Sequence, residues 1–89
     1  MSTADPPATA PTVTVYWRPG CGFCAGLFRM LDHHGVPYDA VDIWRDPDAA
    51  AVVRAAARGN ETVPTVIVGD FAMVNPNVQQ VIAALHAAA

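Results

Sequence analysis

Basic charge is scarce in this sequence, with five Lys and Arg against eight Asp and Glu and a formal net charge of −3. Nothing in it offers the electrostatic footprint that nucleic acid requires, so no nucleic-acid partner is expected. Long hydrophobic runs are missing too. The apolar stretches stay far below the roughly 18 residues of a membrane span, so no membrane association is expected. The first residues, MSTADPPATAP, have neither a cationic start nor an apolar segment. They do not read as a secretory signal. With Pro6, Pro7 and Pro11 they read as a disordered leader over residues 1–11. The expected location is therefore cytoplasmic, where thiols are kept reduced. Cysteine is scarce as well, since Cys21 and Cys24 are the only two. A purely structural disulfide between them is not expected. The compartment is reducing, and so short a loop removes little chain entropy. Nor is a metal expected. A structural zinc site needs about four nitrogen or sulfur ligands. Beside the cysteines only His33, His34 and His86 carry imidazoles. His33 lies roughly 18 Å from Cys21 along a continuous helix, too far to share a metal or to act as its base. Both helix ends suit a histidine in solvent.

What the sequence does have is hydrophobic content, 53% of its 89 residues. Much of it is alanine, so large core formers are fewer than that figure suggests. One domain is expected, over residues 12–89. Residues 12–17, TVTVYW, are β-branched and aromatic and read as a buried strand that RPG then breaks. After Cys21 the pattern turns helical, with Cys24, Leu27 and Leu31 on one face and Gly35 as the stop. Val41 and Ile43 alternate in YDAVDI, a second strand from which Asp39 and Asp42 face solvent, the alternative being a buried carboxylate that serves as a proton relay. Asp46 and Pro47 start a second helix that runs to Gly59, with Arg58 near its end. VPTVIVGDFAMV reads as a hairpin turning at Gly69-Asp70 in a type II′ connection. Asn75 and Pro76 repeat the cap-and-proline start, and Val78, Val81, Ile82 and Leu85 follow at amphipathic helical spacing. The order is β-α-β-α-β-β-α, an α/β fold with a four-stranded mixed sheet covered by helices. Its first β-α-β is a parallel unit.

A Cys-x-x-Cys beside a β-α-β pattern is a redox motif before it is anything else. Cys21 stands at the very start of a helix, whose free N–H groups and dipole favour a thiolate there. The thiolate is the nucleophile of disulfide exchange. Arg18 adds positive charge nearby. Cys24 lies one turn further in, on the buried face. That arrangement gives an attacking thiol at Cys21 and a resolving thiol at Cys24.

TVYWRPGCGFC followed by TVPTV resembles the glutaredoxin branch of the thioredoxin superfamily. More narrowly, CGFC, YDAVDI, GNETVPTVIV and NPNVQQV are similar to the mycoredoxins of actinobacteria. The resemblance runs from about Thr12 to the last helix. It implies the thioredoxin/glutaredoxin-like fold, and a cis peptide bond at Val63–Pro64 facing the cysteines. It also implies that Val63 leaves its N–H and C=O free for a substrate. Relatives that use glutathione commonly carry a lysine near the end of the first strand and a Gly-Gly…Asp feature after the hairpin, which together bind carboxylates. Here those places hold Trp17-Arg18 and VNPN. Mycothiol has no free carboxylates, and Thr62, Asn75 and Asn77 suit its hydroxyls. It is therefore the expected thiol co-substrate, in preference to glutathione, with no tightly bound cofactor. Thr62 equally suits the end of a loop, and Asn75 equally suits the cap of the last helix. Trp17 lines either the groove or the sheet edge. Phe23 either borders the groove or packs in the core, and Phe28 packs in the core.

The reading that follows from the resemblance is an enzyme, a glutaredoxin-like thiol–disulfide oxidoreductase. It reduces S-mycothiolated or otherwise disulfide-bearing proteins in a monothiol cycle, as a monomer. Cys21 and Cys24 are its catalytic residues. Trp17, Arg18, Phe23, Thr62, Val63, Pro64 and Asn75 are its thiol-binding residues. The alternative is a dithiol redoxin, reduced by thioredoxin reductase, that donates electrons to ribonucleotide reductase. That group usually has a WSGFRP-like tail where this chain has VNPNVQQV. A third reading is an iron–sulfur carrier, in which two chains each give Cys21 and two small thiols complete the cluster.

Overall fold

The computed structural model describes residues 11–88. The expected leader lies, but for Pro11, outside the described residues. Four strands and three helices form among the described residues: β1 (Val13–Trp17), α1 (Gly22–His33), β2 (Asp39–Asp42), α2 (Pro47–Ala56), β3 (Thr65–Val68), β4 (Phe71–Val74) and α3 (Val78–Ala88). The sheet order is β2-β1-β3-β4. β1 runs parallel to β2, with Val15 opposite Ala40. It runs antiparallel to β3, with Val15 opposite Val66. The β-branched run therefore becomes an inner strand with a neighbour on each side, in which Val13 and Val15 are buried and Thr14 and Tyr16 half-buried. The expected element order and mixed sheet are both present. In the hairpin, Gly69 alone takes the left-handed φ, +62°, at the first turn position, as a II′ connection requires.

Two apolar clusters hold these layers together. Val13, Val15, Val66 and Val68 of the sheet meet Leu27 and Leu31 of α1 and Val78 and Val81 of α3. The second joins Cys24, Ile43 and Val63 to Ala49, Ala50 and Val53 of α2. A fully buried Val or Leu contributes about 1.5–3 kcal/mol, and an alanine much less for its smaller area. The first cluster is thus the stronger, and the alanine-rich second one borders the cysteines. Phe28 packs against both. Its ring stacks on Tyr38 at 5.2 Å and meets Trp17 edge-on at 5.9 Å.

Helix ends follow the local chemistry, with three corrections to the sequence reading. α1 stops as expected: Gly35 sits at φ +68°, and Val36 N–H reaches the Leu31 carbonyl at 2.9 Å. α2 begins with the Asp46 carboxylate accepting from Asp48 and Ala49, but it ends at Ala56 rather than Gly59. Arg58 and Gly59 both turn left-handed, at φ +57° and +90°, and Gly59 N–H closes onto the Arg54 carbonyl. Arg54 is then the cation of the last turn, paired with Glu61 at 2.7 Å, and Arg58 lies beyond the helix. The cap of α3 is not Asn75, which takes φ +50° and gives its N–H to the Pro64 carbonyl at 2.7 Å. Asn77 and Gln80 instead form a reciprocal capping box at 2.8 and 2.9 Å. Third, Asp42 is turned in rather than out. Its side chain is 13% exposed, because it accepts from the Trp44 N–H and faces Arg45. Asp39 is exposed as expected.

Asn77→Ala is expected to remove about 1 kcal/mol, lowering the melting temperature by roughly 4–8 °C for a domain of this size. Asn75→Gly should cost little, because its left-handed φ suits glycine. Equal losses from the two substitutions would overturn the assignment of the cap to Asn77.

Candidate active site

β1 ends at Trp17, and Pro19 and Gly20 turn the chain so that Cys21 becomes the N-cap of α1. Gly20 makes that turn at φ +79°. Cys21 keeps extended backbone angles, φ −92° and ψ 107°, and its sulfur accepts the Cys24 N–H at 3.2 Å. An amide that would otherwise lack a partner in the first turn is thereby satisfied by sulfur. A thiolate accepts such a bond more strongly than a thiol. On its other side, the Cys21 thiol donates to the Val63 carbonyl at 3.7 Å. The carbonyl that was expected to be free is thus engaged by the resting thiol. The Val63–Pro64 bond is cis, as the resemblance implied. Both residues are buried, and Asn75 N–H ties Pro64 to the start of the last helix.

A glutaredoxin family model matches residues 13–72, more than half of the chain. The chain belongs to the glutaredoxin family. Among curated relatives, the gene 56 protein of Mycobacterium phage D29 is 34% identical over 59 residues, covering 66% of this chain and 64% of the phage protein. The glutaredoxin-like protein NrdH of Escherichia coli is 32% identical over 59 residues, covering 66% of this chain and 70% of NrdH. The solved NrdH-redoxin from Escherichia coli superposes with a TM-score of 0.62 at 30% identity, covering 71% and 80% of the two chains. Glutaredoxin C1 from Populus tremula x tremuloides superposes at 0.67, with 24% identity over 91% of this chain and 89% of its own, which speaks to the fold.

The two thiols of this glutaredoxin differ sharply. Cys21 is half-buried, whereas Cys24 is 1% exposed. Burial is the main reason that the Cys24 thiol is pushed up from 9.0 to about 12. The hydrogen bond with Cys21 adds to the rise, while Arg18 works against it. At neutral pH Cys24 is therefore a protonated thiol. Both cysteines are free rather than joined.

The other expected residues divide into those near the sulfur and those apart from it. Trp17, Cys21 and Val63 meet in the cluster around Cys24. Phe23 is 73% exposed, so it belongs to the surface rather than the core. Phe23 and Asn75 face each other across a groove of about 540 Å³. Thr62 is exposed, and its backbone acts locally by accepting from the buried Thr65 hydroxyl at 2.8 Å. Arg18 is exposed and lies over the Trp44 ring, 5.8 Å from its centre. Trp44 itself was not singled out from the sequence. It follows the second strand with no periodic signal, although it is 63% exposed. Gly26, Arg29 and Met30, which also line the groove, were equally hidden inside an ordinary helical pattern. Among the described residues no group of three or more His, Cys, Asp and Glu side chains could hold a metal ion.

The raised Cys24 value carries a stability consequence. Between pH 9 and 12 the unfolded chain has released this proton and the folded one still holds it. The contribution is complete below pH 9 and is lost as pH rises toward 12. Tyr38, held above its ordinary 10.0 first by burial and then by Asp32, adds a loss of the same sign that begins above pH 10. Cys24→Ser removes only the cysteine share. Chemical denaturation between pH 8 and 12 should therefore give a shallower decline for Cys24→Ser than for the unmodified protein, and parallel curves would contradict the assignment.

Proposed function

We propose that this glutaredoxin is a thiol–disulfide oxidoreductase that reduces mixed disulfides between proteins and mycothiol, with Cys21 as the nucleophile. The observation that carries the reading is the contrast at the head of α1. One sulfur is accessible and bonded by a helix N–H, and the other is buried and protonated. The Cys21 thiolate attacks the mycothiol sulfur of the protein–S–S–mycothiol adduct. That S–S bond breaks, the target leaves as its thiolate and takes a proton, and Cys21 carries the mycothiol. A second mycothiol thiolate attacks the mycothiol sulfur of this adduct. It frees Cys21 and departs as mycothiol disulfide, so one free mycothiol is consumed and the disulfide passes from the protein adduct to mycothiol disulfide. Cys24, with its proton held so firmly, is a slow competitor for Cys21 and serves as a resolving or regulatory thiol.

The thiol partner is argued from chemistry. The strand end that would supply a lysine holds Trp17 and Arg18, with Arg18 drawn onto Trp44. Asn75 and Asn77 stand where carboxylate-binding groups would, and amides suit hydroxyl groups. Thr62, Val63 and Pro64 complete the proposed thiol-binding set with Phe23. The protein would work as a monomer in a reducing cytoplasm. No described helix is long and apolar enough to cross a membrane.

A second reading is favoured by the likeness to NrdH at 32% identity. There Cys21 first forms a mixed disulfide with the target protein, Cys24 attacks its Cys21 sulfur, that bond breaks as the target leaves as its thiol, and a thioredoxin reductase restores both thiols from the Cys21–Cys24 disulfide. The protein would then donate electrons to ribonucleotide reductase.

Cys21→Ser should abolish turnover of mixed disulfides. Cys24→Ser should keep most of it with mycothiol as reductant and show little with glutathione, measured by coupled oxidation of the reductant. Loss of turnover in Cys24→Ser with both thiols would instead select the dithiol cycle.

A further inference from the structure

We propose that Thr65 is a positioning residue for Cys21, because its hydroxyl holds the turn that sets the Val63 carbonyl against the reactive sulfur. This inference rests on the proposed oxidoreductase activity. Thr65 opens β3, an inner strand, and is paired with Tyr16 of β1 on one side and Val74 of β4 on the other. It is fully buried, and among the described residues it is the one polar or charged residue in the core. The rest of β3 is Val66, Ile67 and Val68. A valine at position 65 would nearly match the shape and would suit the strand as well. It would also bring no polar group that needs a partner. The core therefore has no need of this hydroxyl, and its use lies in the bond that it makes.

That bond reaches back along the chain, from the Thr65 hydroxyl to the Thr62 carbonyl at 2.8 Å. It spans Val63 and Pro64, both buried. Three successive carbonyls of the turn then have one partner each, from three different parts of the fold. Thr62 accepts from Thr65 of β3. Val63 accepts from the Cys21 thiol at the head of α1, at 3.7 Å. Pro64 accepts from the Asn75 N–H, ahead of α3, at 2.7 Å. The two outer bonds are short and the middle one is long, so a small rotation would end it. Each peptide group is planar and turns as a unit. With the groups on either side held, and the proline ring fixing its own φ, the Val63 carbonyl has little freedom to turn from the sulfur. Of the two groups bonded to Cys21, the Cys24 N–H is held by α1 itself, and the Val63 carbonyl is held by Thr65 and Asn75. Thr65 therefore acts through the turn. Without its bond the sulfur keeps its helix donor and stays a nucleophile, but it loses the contact that aims it. Turnover of a disulfide, which needs alignment, then falls further than the reactivity of the sulfur.

The test measures turnover of bis(2-hydroxyethyl) disulfide with mycothiol and with glutathione, the melting temperature, and labelling of Cys21 by iodoacetamide at neutral pH. Thr65→Val keeps the shape and loses the hydroxyl, whereas Thr65→Ser keeps the hydroxyl and loses a buried methyl. Thr65→Val should lose roughly tenfold in kcat/KM, the scale of a misplaced reacting group. It should nevertheless melt at or above Thr65→Ser, which carries the cavity. Thr65→Ser should keep most of the turnover. Iodoacetamide needs no alignment with the turn, so it should label Thr65→Val at least as fast as the unmodified protein. Activity would then follow the hydroxyl and not the stability. Full turnover in Thr65→Val would overturn the role of Thr65 alone. So would a Thr65→Ser variant that loses as much as Thr65→Val, or labelling that slows in step with turnover, since either makes the effect one of packing. If Thr65→Val does not fold, Thr65→Ala takes its place, as small as serine but without the hydroxyl. Failure of the unmodified protein to reduce the disulfide with either thiol would overturn the oxidoreductase reading and the role of Thr65 with it.

Discussion

The site is organised by one sulfur that ends a loop and begins a helix. Cys21 caps α1, accepting the Cys24 N–H on one side and donating to the Val63 carbonyl on the other. The first is local to the helix head, but the second requires that the first helix and the turn before β3 be brought together, although they lie 42 residues apart in sequence. The sheet does this. β1 is paired with β3, so the strand that leads to Cys21 lies beside the strand that follows Pro64. Asn75 then fastens Pro64 to the head of α3. Three separate chain segments are thus tied together at the head of α1.

The difference between the thiols comes from helix geometry. Three residues are nearly one helical turn, so the two sulfurs share a side of α1 but differ in depth. Cys24 continues inward into the row formed with Leu27 and Leu31, and each of the three is buried. A charge there would lose its hydration, which is the chief cause of the raised thiol. Cys21 remains at the edge, where a partner disulfide can reach it. The same spacing therefore serves nearness and inequality together, and an exchange reaction that must begin at one sulfur needs both.

Packing around the site is uneven in a way that suits recognition. The stronger cluster lies away from the cysteines, in valines and leucines between the sheet and α1 and α3. Near the cysteines two alanines, Ala49 and Ala50, share the core with Ile43, Val53 and Val63, and several large apolar groups stay outside. Phe23, Met30 and Trp44 are exposed around the head and flank of α1 and the turn after β2. Such open groups cost a small protein solubility.

The order of elements, the redox pair and the start of α1 were legible in the sequence, because each rests on local rules. A β-branched run, a Pro-Gly break, a helical apolar row and a Gly stop act within a few residues. Where several local rules competed, legibility failed. Asn75 and Asn77 both carry capping side chains; the bond from Asn75 to Pro64 draws the first away, and the reciprocal pair of Asn77 with Gln80 makes the cap. Arg58 looked helical because its left-handed backbone leaves no mark in composition. Asp42 looked solvent-facing because the turn that recruits it is built from its own neighbours. Sequence by itself thus determined which residues could do the chemistry, through spacing and local propensity. The tertiary structure decided which carbonyl meets Cys21, how deep Cys24 lies and where a groove opens beside them. These depend on contacts between segments far apart in the chain, and no local pattern encodes them.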